Sequence, residues 1–134
     1  MEKKPQISPD DVMAFVGNAH GDFNKVRALL EKEPALINAA WDWGGGDWET
    51  ALGAAAHTGQ REIAVYLLEH GARIDLFAAA MLGRLSIVKA ILGEFLEMKR
   101  ALGPHGIPLL VHAKMGGEPA AEVLRFLEGN CAAQ

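Results

Sequence analysis

The chain has little that could crosslink it or carry it into a membrane. Cys131 is the one cysteine among 134 residues, which excludes an internal disulfide and a zinc site built from several cysteines. Charged residues interrupt every apolar stretch well before the roughly 18 residues that a spanning helix needs, so we expect no membrane partner. The first residues lead into a polar segment instead of an apolar leader, and we therefore expect a cytoplasmic protein.

Positive charge is scarce as well. Thirteen Lys and Arg stand against 17 Asp and Glu, for a net charge of −4, and no basic tract occurs. Nucleic-acid affinity depends largely on basic side chains that neutralise phosphates, so this balance disfavours a nucleic-acid partner. Half of the residues are hydrophobic. A chain of this length can bury one core, as a compact domain or a short repeat array, but not two.

One pattern of residues occurs four times along the chain. Each copy has small apolar residues and a glycine, followed about eight residues later by large aliphatic residues. The clearest copy is residues 50–59 (TALGAAAHTG) with Leu67-Leu68, and the others surround Gly21, Gly83 and Gly116. Within each copy the apolar residues recur at spacings of three and four, which predicts two short helices joined by a turn. Such a unit cannot bury both of its faces alone, so the units are expected to stack as a solenoid.

The clearest copy resembles the ankyrin repeat, whose signature includes T-P-L-H-x-A. Residues 50–55, Gly59, Leu67-Leu68 and Gly71-Ala72 carry the resemblance, and Pro108-Leu109 restores the Pro-Leu part of the signature in the last copy. The resemblance extends over roughly residues 8–128. It implies an all-α, ankyrin-like α-solenoid of about four helix-turn-helix repeats.

The expected domain organisation follows from the four copies. We expect one ankyrin repeat domain over residues 8–129, with tails at 1–7 and 130–134. Its repeats are expected at about 8–38, 46–75, 76–103 and 104–129.

The spacing between the repeats is irregular. The Leu-Leu or equivalent positions are separated by 38 residues from Leu30 to Leu68, 24 from Leu68 to Leu92, and 35 from Leu92 to Leu127. The ankyrin period is about 33 residues, so the first junction contains an insertion and the second a deletion. We therefore expect β-hairpins between the repeats to be short or missing. The insertion falls in residues 41–48, which we call the Trp loop.

The Trp loop is the strongest functional signal in the sequence. It holds all three tryptophans, Trp41, Trp43 and Trp48, together with three glycines and the acids Asp42 and Asp47. Tryptophan is enriched at binding hot spots. The ankyrin resemblance implies a non-enzymatic module that binds a protein or peptide through its concave face and this loop. An alternative is that Trp41 and Trp48 lie on a hairpin stem and pack against the second unit.

Further candidates come from aromatic residues and histidines. Tyr66 and Phe77 either line the concave groove or fill it. His112 aligns with alanines of the other repeats, inside the helix contacts, so it should be hydrogen-bonded. His105 lies in a turn-rich loop that could bring it to the same side. The candidate binding residues are thus Trp41, Trp43, Asp47, Trp48, Tyr66, Phe77, His105 and His112.

The sequence predicts neither a cofactor nor a metal site. His20, His57 and His70 lie near turn glycines, where they are expected to be surface residues without a functional role. Further metal-ligating residues are scattered along the sequence, no H-E-x-x-H motif occurs, and no Ser or Cys has an evident neighbouring base. The protein is therefore expected not to be an enzyme.

The sequence is also consistent with two alternative hypotheses about function and assembly. One is a small-molecule-binding or catalytic ankyrin-like protein, with a pocket between the Trp loop and the region of His105 and His112. The other is a weak homo-oligomer in place of a monomer, with the tryptophans at its interface.

Overall fold

A computed structural model describes residues 3–129 of the chain. The predicted C-terminal tail and Cys131 lie outside the described residues. Within them the chain forms eight α-helices and one two-stranded sheet. The helices are α1 (Pro9–Asn18), α2 (Phe23–Lys32), α3 (Ala51–His57), α4 (Arg61–Glu69), α5 (Leu76–Leu82), α6 (Leu85–Glu94), α7 (Leu109–Met115) and α8 (Ala121–Glu128).

The helices form two layers. The odd-numbered helices α1, α3, α5 and α7 contact one another in chain order, and each even-numbered helix packs against the helix before it. This confirms the all-α, ankyrin-like repeat fold. No helix within residues 3–129 is long and apolar enough to cross a membrane.

Alanines allow the inner layer to pack closely. Ala54–Ala56 in α3 and Ala78–Ala80 in α5 are completely buried, because each helix is covered by both of its inner-layer neighbours. Outer helices contribute larger residues to the core, such as Leu67 in α4 and Val88 in α6. In these two pairs, the inner helix buries a run of alanines and the outer helix buries larger, branched side chains.

Side chains fix where several helices begin. Asp22, Thr50 and Asp75 each accept a hydrogen bond from the backbone N–H three residues later, at the start of α2, α3 and α5. These bonds satisfy donors that the first helical turn leaves free.

The three junctions between the helix pairs differ from one another. At the first, β1 (Ala40–Asp42) and β2 (Trp48–Thr50) form an antiparallel hairpin, with Trp41 opposite Glu49. At the second, residues 73–75 form no strand. The third has a single bridge between Leu102 and Pro108. The prediction of short or missing hairpins is confirmed in the part of the chain that the structure describes.

Two polar side chains connect successive pairs. The Asn38 amide donates to the carbonyl of Gly71 at 3.2 Å and accepts from the Arg73 N–H at 2.9 Å. The Arg61 guanidinium donates to the carbonyl of Leu82 at 3.1 Å. Each bond satisfies a backbone group at a turn, so these contacts help to hold neighbouring pairs in register.

Candidate functional site

The three tryptophans have different environments. Trp41, on β1, is half-buried and packs against the core of the first two helix pairs. Trp43 is 39% exposed, whereas Trp48 is 61% exposed at the start of β2. Asp42 holds the glycine-rich tip between the strands, since its Oδ1 accepts from the N–H groups of Gly44 and Gly46. Of the three, Trp48 therefore offers the most surface to a partner.

Asp47 connects the Trp loop to the loop that follows α6. Its Oδ1 accepts from the backbone N–H of His105 at 2.7 Å, and its Oδ2 lies 2.7 Å from Nδ1 of the His105 ring. The backbone hydrogen bond is the main cause that lowers the pKa of Asp47 below its usual value, and the ring contact adds to it. His105 itself has a φ of 61°, a left-handed conformation that non-glycine residues adopt at a cost. Asp47 thus holds His105 in a strained conformation.

Glu49 lies at the centre of a group of histidines. It is only 1% exposed, on the face of β2 that points inward. Its Oε1 lies 3.3 Å from Nε2 of His20 and 3.3 Å from Nε2 of His105, and its Oε2 lies 2.9 Å from Nε2 of His57. The Trp43 indole N–H donates to Oε1 at 2.8 Å. We call Glu49, His20, His57 and His105 the Glu49 cluster.

The Glu49 carboxylate is stabilised in its ionised form. Burial by itself raises its pKa, but three influences outweigh burial: the approach of His57, the hydrogen bond from Trp43, and the fields of His20 and His105. The net result is a pKa below the usual value for glutamate. A negative charge is therefore retained inside the protein, surrounded by three imidazoles.

The expectation that His20 and His57 are surface residues was wrong. The His57 side chain is 11% exposed and that of His20 is 29% exposed, and both face Glu49. The idea that ligating residues are scattered was also wrong, because the fold gathers four of them. A signal for this was present: His20 lies one residue before a turn glycine, and His57 lies two residues before the turn glycine of the next repeat. Corresponding turns of stacked repeats lie side by side.

Tyr66 does not belong to this region. It lies on α4 in the outer layer, where its ring contacts Phe23 at 5.2 Å and His70 at 4.1 Å between centroids. The suggestion that it lines the same groove as Phe77 is therefore wrong. The spacing within α4 could not distinguish the side facing α2 from the side facing the hairpin.

His112 and Phe77 pack together on the inner helices. His112 is completely buried, as its alignment with alanines predicts, and Nδ1 hydrogen-bonds the Pro108 carbonyl at 2.9 Å. The expectation of a hydrogen bond is confirmed. Its ring centroid lies 4.8 Å from that of Phe77 on α5.

Burial lowers the pKa of His112, and the field of His57 acts in the same direction, while the Pro108 carbonyl and Asp75 oppose them. The unfolded chain will therefore bind a proton below about pH 6.5 that the folded chain resists, so stability falls as the pH drops below that value. The wild type should therefore lose up to about 2 kcal/mol of its free energy of unfolding at pH 5 through His112. We expect His112→Leu to lack this part of the loss. Urea unfolding at pH 7.5 and pH 5 measures it.

Val111→Leu, at the neighbouring exposed position, is the control and should keep the pH dependence of the wild type. An identical decline in stability for His112→Leu and the wild type would contradict a neutral, buried His112.

An open groove of about 390 Å³ lies between the Trp loop and loop 102–106. Its lining includes Asp47 and Trp48 of the Trp loop, Asp75 and Phe77 at the start of α5, and Pro104 of loop 102–106. The lining is mostly apolar and includes two aspartates. The small-molecule alternative expected a pocket between the Trp loop and the region of His105 and His112, but neither histidine lines this groove.

The helix pairs and the short hairpin define a helical repeat protein. Residues 47–78, which contain β2, α3 and α4, match the Ankyrin repeat family model. This segment is thus an ankyrin repeat, and the helix pairs on either side of it pack in the same ankyrin-like arrangement. A comparison with curated proteins gives no match.

Proposed function

We propose that the protein is a binding module that holds a peptide segment of a partner protein in the groove between Trp48 and Pro104. Ankyrin repeats generally mediate protein–protein interaction. The observation that carries the proposal is Trp48, a large aromatic side chain that is 61% exposed and lines the groove. Aromatic anchors of this kind supply much of the binding energy at interfaces.

The composition of the groove indicates what it would bind. Phe77, Pro104 and Trp48 offer apolar contacts, and Asp75 adds a carboxylate to the lining. The chain as a whole carries a net charge of −4. We therefore infer a partner segment with a large apolar side chain next to a lysine or arginine, because opposite charge favours encounter and orientation. No catalytic step is assigned to this groove.

Selection from a random peptide library on the wild-type protein tests this function. We expect the selected peptides to share an apolar residue next to a basic one. Trp48→Ala should weaken their binding roughly 30-fold, since truncation of a hot spot costs about 2 kcal/mol. Fluorescence anisotropy with a labelled peptide measures the change.

Phe95→Ala is the matched control, because Phe95 is an exposed aromatic residue that does not line the groove. Equal affinity of the peptides for Trp48→Ala and the wild type would show that the groove is not their site. The mass of both proteins in solution is measured in parallel, and we expect it to be that of a monomer. A dimer that Trp48→Ala dissociates would instead identify this surface as a self-association interface.

The second candidate is a small molecule in the same groove. Its volume lies within the range of about 300–1,000 Å³ that is typical of ligand pockets. The open shape and the outward position of Trp48 favour a peptide, which contacts a surface over a longer distance. Screening a library of small cationic aromatic compounds tests this candidate. A compound that binds more tightly than every selected peptide would favour it.

A further inference from the structure

The Glu49 cluster joins parts of the chain that are distant in sequence. His20 follows α1, Glu49 belongs to β2, His57 ends α3, and His105 lies in the loop before α7. One ligand atom from each of these four residues lies within 4.8 Å of those of the other three. A single point in space is therefore within reach of three imidazole nitrogens and a carboxylate.

The distances between these atoms suit a shared metal ion. Zinc binds nitrogen and oxygen ligands at about 2.0–2.1 Å, so neighbouring ligand atoms of a tetrahedral site lie about 3.3 Å apart. Nε2 of His20 and Nε2 of His105 each lie 3.3 Å from Oε1 of Glu49. Small movements of the side chains would complete such a geometry.

The pair of His57 and Glu49 supplies a second, independent observation. Nε2 of His57 and Oε2 of Glu49 are both buried and lie 2.9 Å apart as an ion-pair contact, but neither atom has a hydrogen-bond partner of good geometry. Each unsatisfied buried polar atom is costly. A cation bound by both atoms would remove that cost.

The partners around the cluster are those that metal ligands need. Nδ1 of His20 lies 2.9 Å from the Gly17 carbonyl, and Nδ1 of His105 lies 2.7 Å from Oδ2 of Asp47. When Nδ1–H donates to such an acceptor, Nε2 presents its lone pair to a metal. The strained backbone of His105 is held by the same Asp47. The second carboxylate thus orients a ligand without being one.

We propose that His20, Glu49, His57 and His105 form a binding site for one divalent transition-metal ion of the zinc type. Three imidazoles and one carboxylate favour Zn²⁺ over Mg²⁺ or Ca²⁺, which prefer oxygen ligands. Four protein ligands complete a tetrahedral shell, so the role is structural. The ion connects the first hairpin and two inner helices to the loop that carries His105.

The test uses untagged, full-length protein that has been treated with a chelator and dialysed. Titration with Zn²⁺ is expected to give one ion per chain. Substitution with Co²⁺ is expected to produce the visible absorption of tetrahedral cobalt. Zn²⁺ at a hundredfold excess over its Kd should raise Tm by on the order of 10 °C.

Two variants separate ligation from folding. His105→Gln removes a ligand from a partly exposed loop position, and it should abolish the cobalt absorption and lower the affinity for Zn²⁺ more than 100-fold. Asp47→Asn retains every ligand and should lower the affinity about 10–100-fold. His70→Gln is the control, because His70 lies on α4 outside the cluster.

Three results would overturn the proposal: no cobalt absorption and no shift in Tm with the wild type, unchanged affinity in His105→Gln, or an equal loss in His70→Gln. In the first case the histidines serve only to pair with the ionised Glu49.

Discussion

Gly83→Ala is expected to destabilise the protein by about 2–6 kcal/mol. Gly83 ends α5 with a φ of 79°, where a side chain costs roughly 1–3 kcal/mol. A Cβ placed there would lie 2.1 Å from the carbonyl oxygen of Pro119 and 2.9 Å from its carbonyl carbon. The backbone before α8 would have to move, and overpacking of this kind costs about another 1–3 kcal/mol. Urea unfolding followed by circular dichroism measures the loss.

Gly93→Ala is the matched control for this substitution. Gly93 lies within α6, and a Cβ there would meet no atom within 4 Å. Alanine is the better helix former, so this variant should gain about 0.5–1 kcal/mol. Both substitutions replace glycine by alanine, but they should change the free energy of unfolding in opposite directions. Equal unfolding midpoints would mean that α5 and the turn before α8 are not in contact.

Leu67→Ala is expected to cost about 2–5 kcal/mol and to lower the melting temperature of the whole array. Leu67 is completely buried on α4, in the core that the first two helix pairs share. Truncation removes apolar contact and leaves a cavity. Because each pair is stabilised by its neighbours, we expect one cooperative transition at lower temperature.

Leu96→Ala is the control for the leucine substitution. Leu96 is 71% exposed, so its truncation should change the free energy of unfolding by no more than about 0.5 kcal/mol. Scanning calorimetry of both variants makes the comparison. If Leu67→Ala melted at the temperature of the wild type, the second pair would not contribute to the core as described.

Much of the fold could be predicted because it depends on patterns within single elements. The alanine-rich segments before the turn glycines predicted thin inner helices. Ala54–Ala56 of α3 is indeed buried, with α1 and α5 packed on either side of that helix. The spacing from Leu68 to Leu92 predicted a missing hairpin at the second junction, and residues 73–75 form no strand. Period and spacing are local properties, so a sequence can report them directly.

The candidate site was predictable only in part. Trp48, Asp47 and His105 were identified as candidates because they lie in irregular loops, where binding residues are often found. Glu49 was missed since an acid beside a tryptophan looks like a solvated loop residue, and only the hairpin register turns it inward. His57 was dismissed as a helix-end residue, although stacking places it beside Glu49.

The amino-acid order by itself determined that short helices alternate, which helices have small side chains, and where insertions fall. These features follow from the chemistry of neighbouring residues. Tertiary structure alone decided that one buried carboxylate meets three imidazoles, and that an aspartate meets a histidine 58 residues further along the chain. Such meetings depend on how the units stack and where their loops end. The separation of these residues along the sequence does not predict the contacts, because the packing of the repeats brings the residues together.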